Sequence, residues 1–83
     1  MIISFNDKNR SVELFAMEKQ QAVIKLEVLN RTGVVLFEKQ LLVMAGFQCV
    51  EIPRQVPMNC GTYFCRISDH TMNQYIINLL ISE

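Results

Sequence analysis

The 83 residues make one domain, 1–83, and a chain this short buries only about 60–65% of the surface its unfolded form exposes. Apolar residues make up 51% and charged residues 19%, which excludes a disordered chain. Eight Lys and Arg offset eight Asp and Glu, scattered singly, so there is no basic stripe for nucleic acid and no cationic face for an anionic membrane.

The chain opens on Ile2 to Phe5, read as a short edge strand, in a segment that lacks the charged start and apolar centre of a signal peptide. If the domain is exported, its signal belongs upstream in a larger parent protein. Val12, Leu14 and Ala16 then alternate with Ser11, Glu13 and Phe15, which makes a second strand with the first set facing inward. Over Ala16–Ala22 the residue types favour helix, but Glu18 and Gln21 would fall on the apolar stripe, so the segment reads as a turn between strands.

Val23–Leu29 alternates again, with Ile24, Leu26 and Val28 on one face and Lys25 and Glu27 on the other. Asn30-Arg31-Thr32-Gly33 follows, a loop whose glycine supplies the positive φ that closes a hairpin with a bulge, and the return strand runs from Val34 to Leu42. After Gly46, Val50 and Ile52 alternate with Glu51 until Pro53 stops the ladder. Pro53–Gly61 is a crossing loop.

Two more strand-like runs close the sequence, Gly61–Ile67 and Tyr75–Ile81, separated by a Ser68-Asp69-His70-Thr71 turn. Tyr63, Cys65 and Ile67 face one way, and Ile77, Leu79 and Ile81 supply the matching face. A chain that ends on a strand has its end tied into a sheet. Roughly six to seven short strands at regular spacing predict an all-β, immunoglobulin-like antiparallel β-sandwich.

The side chains that could carry chemistry do not assemble into a site. His70 stands alone in a turn, and Ser68-Asp69-His70 cannot converge as a triad because neighbours along an extended chain point apart. There is no Cys-x-x-Cys pair, phosphate loop or nucleophile elbow, so the expectation is a non-enzyme without metal or cofactor. Cys65 reads as a small buried apolar residue, while Cys49 and Cys60 could approach one another. Asn9-Arg10-Ser11 and Asn30-Arg31-Thr32 match the N-glycosylation pattern, but Asn30 is accounted for as a hairpin residue. Tyr63 has two structural readings, a tyrosine corner or a cross-strand partner of Tyr75.

The order of these pieces resembles the C-terminal sorting domain of proteins exported by the type IX secretion system of Bacteroidetes. The resemblance covers Val23–Glu83 and rests on Val28-Leu29-Asn30-Arg31-Thr32-Gly33, Ala45-Gly46-Phe47, Val50-Glu51-Ile52, Val56-Pro57-Met58-Asn59-Cys60-Gly61 and Gly61-Thr62-Tyr63-Phe64-Cys65-Arg66-Ile67-Ser68. The family's opening Asn-Pro motif is missing, and Asn78 and Glu83 stand where its terminal lysines usually lie. The resemblance implies a domain that carries a larger cargo protein through an outer-membrane translocon to the cell surface or medium, by way of the periplasm. The partner would be protein, the secretion machinery, with no membrane insertion.

On this reading the contact residues are Tyr63, Phe64, Arg66, Tyr75, Leu79, Ile81 and Glu83, all in the closing hairpin. The competing expectation is a structural or adhesive sandwich of a bacterial surface protein binding protein or glycan through exposed aromatics, with Phe15, Phe47 and Phe64 as candidates. An unguarded edge strand would also permit homo-association.

Overall fold

A computed structural model of the chain describes residues 1–17, 22–70 and 73–82. Among these there are seven strands and no helix: β1 Ile2–Asn6, β2 Ser11–Ala16, β3 Ala22–Leu29, β4 Val35–Val43, β5 Gly46–Glu51, β6 Gly61–Asp69 and β7 Gln74–Ile81. They form a three-stranded sheet, β1-β2-β5, and a four-stranded sheet, β4-β3-β6-β7, every neighbouring pair antiparallel. This is the expected β-sandwich. The turn expected between Ala16 and Ala22 falls on residues 18–21, which lie outside the described residues, as do Thr71 of the closing turn and Glu83.

Alternation decides which side chains fill the space between the sheets. Val12, Leu14, Ala16 and Val50 come from one sheet, and Ile24, Leu26, Val28, Cys65, Ile67 and Leu79 from the other, all buried. β-Branched and leucine side chains on a pleated surface make such a core, with burial stabilising each large side chain by about 1.5–3 kcal/mol. Ile52 and Met58, from the crossing loop after β5, close one end. Cys65 sits within this core, where burial pushes its thiol up to about 12. It stays protonated at neutral pH, hence unreactive. Cys49 and Cys60 are exposed and unpaired, Cys49 on β5 of one sheet and Cys60 just before β6 of the other.

The β3–β4 hairpin forms as the loop sequence predicts. Gly33 has φ +89°, and the register shifts between Val28 and Leu29 as a bulge requires. Asn30 locks the loop: its Oδ1 accepts hydrogen bonds from the Thr32 N–H (3.0 Å), the Thr32 hydroxyl (2.8 Å) and the Val34 N–H (2.9 Å). An Asx side chain so placed substitutes for backbone partners that the turn leaves over.

Ser11 departs from the alternation reading. It belongs to the outward set of β2 yet is buried, and the chain after β5 is tied to its neighbour Arg10: the Ile52 N–H donates to the Arg10 carbonyl (2.8 Å) and Arg10 Nη2 donates to the Val56 carbonyl (3.0 Å). A loop packed across a sheet face is a non-local event that period-two counting cannot register.

Candidate functional site

The strand order leaves β7 at one edge of the larger sheet, paired with β6 alone. Its sequence, Gln-Tyr-Ile-Ile-Asn-Leu-Leu-Ile, carries no charge and no proline over eight residues. The opposite edge, β4, contains Glu38 and Lys39, and the edges of the smaller sheet are strands of five and six residues. Charges, prolines and short length are what keep an edge from pairing with another backbone, so β7 is the least guarded edge of the fold. Beyond it Ser82 anchors the chain, its N–H (3.1 Å) and hydroxyl both donating to Asp7 Oδ2 in the β1–β2 turn.

The β6–β7 register sorts the predicted contact residues into two groups. Tyr63 pairs with Leu79, Cys65 with Ile77 and Ile67 with Tyr75, all on the inward face, whereas Phe64 pairs with Asn78 and Arg66 with Ile76 on the outward face. Leu79 is fully buried, and Ile81 and Tyr63 pack against the core, so with the strand in place Leu79 anchors the edge. Tyr75 is inward by register but lies exposed at the sheet end. Phe64 and Arg66 do face out. Neither structural reading of Tyr63 holds among the described residues: its hydroxyl makes no hydrogen bond, and its cross-strand neighbour is Leu79, four positions from Tyr75.

Arg66 is not a free cation. Its Nε donates to Glu27 Oε1 at 3.0 Å, and Lys25 Nζ approaches Glu27 Oε2 at 3.9 Å. Glu27 is buried at the centre of the outward face, with Glu38 opposite on β4 and Arg66 opposite on β6. The hydrogen bond from Arg66 pulls the Glu27 carboxyl below its ordinary value of 4.5, against the opposing effect of burial, and the charges of Arg66 and Lys25 add to it. A depressed native pKa means that the pair stabilises the fold above the unfolded carboxyl's pKa, and that this contribution disappears as pH falls through the native one. The urea midpoint is therefore expected to drop below pH 4.5 by more in the wild type than in Glu27→Gln, whose side chain does not titrate. Equal drops would show that the pair contributes nothing.

Between this ion pair and the Asn30–Gly33 loop lies a cleft of about 320 Å³. Leu29, Phe64 and Ile76 line it with apolar atoms, and Arg31 and Arg66 stand among its lining residues. The wall is continuous because Phe64 pairs with Leu29 on one side and Asn78 on the other, with Ile76 and Leu80 diagonal to it. Leu29 and Ile76 could have been read from the alternation of their strands, had it been carried one residue further. Arg31 carried no such signal.

On the other sheet, Ile2, Phe15 and Phe47 stand directly opposite one another and form an exposed apolar row on the outward face. Phe15 and Phe47 are thus neighbours, as the adhesive reading needs, while Phe64 belongs to the opposite sheet. Among the described residues no group of three or more His, Cys, Asp or Glu could hold a metal ion, and no helix is long and apolar enough to cross a membrane. Neither a protein-family model nor a curated protein matches this chain.

Proposed function

We propose that this chain is a non-catalytic secretion and sorting module, carried by a larger parent protein, which offers its β6–β7 hairpin to an outer-membrane translocon of the type IX kind. The observation that carries the reading is the uncharged, proline-free edge of β7, eight residues long, with Ile76 and Leu80 exposed on its outward side. An exposed edge can take up a partner strand through main-chain hydrogen bonds, while pockets for alternate side chains supply selectivity. Ile76 and Leu80 are those alternate side chains, and Leu79 and Ile81 hold the strand in place beneath them.

A reporter fused ahead of residue 1 and expressed in a type IX-competent cell tests this. The fusion is expected outside the cell or on its surface; retention inside overturns the proposal. The double variant Ile76→Lys, Leu80→Lys, which guards the edge without touching the core, is expected to fold normally and to lose export.

The row Ile2, Phe15 and Phe47 favours a second reading, an adhesive surface domain. On that reading Phe15→Ser combined with Phe47→Ser leaves export intact and abolishes retention of the fusion on the cell surface. If instead the double variant stays attached as well as the wild type does, the adhesive reading fails.

A further inference from the structure

The cleft beside the Asn30–Gly33 loop has the composition of a ligand site, and its Arg31 plays no part in strand presentation. Its volume, about 320 Å³, lies at the lower end of the roughly 300–1,000 Å³ typical of small-molecule sites and equals about ten water volumes. Its floor and wall are Leu29, Phe64 and Ile76, two of them on central strands. Two guanidinium groups stand beside this apolar surface, and they are not equivalent. Arg66 is committed to Glu27 at 3.0 Å. Arg31 is exposed and makes no ion pair among the described residues, and it rides on a loop that Asn30 fixes through three hydrogen bonds. The result is one uncompensated positive charge among the residues that line a small apolar cleft.

We infer that this cleft binds a free amphipathic monocarboxylate, with the apolar body against Phe64, Leu29 and Ile76 and the carboxylate on Arg31. Complementarity of charge selects an anion, and a guanidinium receives a carboxylate through two parallel N–H···O bonds. The limited volume selects a body of about eight carbons or a single ring, counted against the ten water volumes above. It does not accommodate a run of peptide side chains. The inference shares Ile76 with the export proposal but is tested apart from it, because its carboxylate contact rests on Arg31 of the β3–β4 loop, which strand presentation does not use.

The test is a titration of the ¹⁵N-labelled chain with octanoate and, separately, with octanamide, followed by amide shifts. Octanoate is expected to give saturable shifts at Arg31–Gly33, Phe64 and Ile76 with a Kd on the order of 1 mM, as fits about ten ligand atoms at modest efficiency. Arg31→Gln is expected to weaken octanoate about tenfold, the loss of one charge-assisted contact, while changing octanamide less than about twofold. The variant's spectrum away from the loop reports that it is folded. A response to octanoate that does not saturate, or equal affinity in wild type and Arg31→Gln, overturns the inference. So does tighter binding of a short acetylated peptide ending in Leu with a free carboxylate, which would assign the cleft to a chain terminus.

Discussion

Leu79→Asp is expected to leave no folded protein at 25 °C. Leu79 is fully buried in the second half of β7 and belongs to the core cluster shared by both sheets. The substitution removes about 2–3 kcal/mol of apolar burial and places a carboxylate among hydrocarbon side chains with no partner, at a further cost of several kcal/mol. A chain of this length has roughly 4–12 kcal/mol of total stability, so the sum consumes most or all of it. Circular dichroism should show loss of the strand signal, and urea should give no cooperative transition. Leu80→Asp, one residue on, is the internal control: Leu80 is 65% exposed on the outward face, and its substitution should shift stability by no more than about 0.5 kcal/mol. If Leu80→Asp unfolds the chain and Leu79→Asp does not, β7 is out of register by one, and the outward placement of Ile76 and Phe64 falls with it.

Leu26→Ala should cost about 3–4 kcal/mol, in the upper part of the range for a leucine truncated in a core that cannot collapse. Leu26 is fully buried on β3, which is paired on both sides, opposite Lys39 of β4 and Ile67 of β6. Two flanking strands hold the backbone open around the vacated volume, so relaxation is limited. With a urea slope of about 1 kcal/mol/M for so small a domain, the midpoint should fall by about 3 M with the slope unchanged. Val23→Ala, on the same strand but on its exposed outward face, should move the midpoint by less than about 0.5 M. A Leu26→Ala variant as stable as wild type would mean that the two sheets do not pack through this residue.

Export loss in a variant that has unfolded says nothing about recognition, which is why the lysine pair at Ile76 and Leu80 is placed on exposed positions. Glu27 has an intermediate standing: it holds Arg66 through a hydrogen bond on the outward face, so Glu27→Gln alters the electrostatics near the cleft while leaving the apolar core untouched.

Much of the fold was legible because a strand's pleat is a local property. Val12, Leu14 and Ala16 on one strand and Ile24, Leu26 and Val28 on another declare a buried face by period two alone, and Gly33 declares its turn by the φ only glycine adopts readily. The same alternation set Cys65 and Ile67 against Ile77 and Leu79. What it did not supply was anything that depends on which residues meet across space. Arg10, next to the buried Ser11, bonds to Val56 forty-six residues on, and the buried Glu27 meets Arg66 thirty-nine residues on. Tyr63 and Tyr75 are not cross-strand partners, because the register pairs Tyr63 with Leu79 and Tyr75 with Ile67.

By itself the sequence determined the class of architecture, the inward faces of β2, β3, β6 and β7 and the scatter of its charges, because these follow from residue type and spacing. Only the tertiary structure decided that β7 is the unguarded edge, that Leu79 and Ile81 pack inward to hold it, and that Arg31 and Phe64 line one cleft. Each of those depends on strand order and register, which arise from contacts between residues far apart in the chain and have no signature in any one segment.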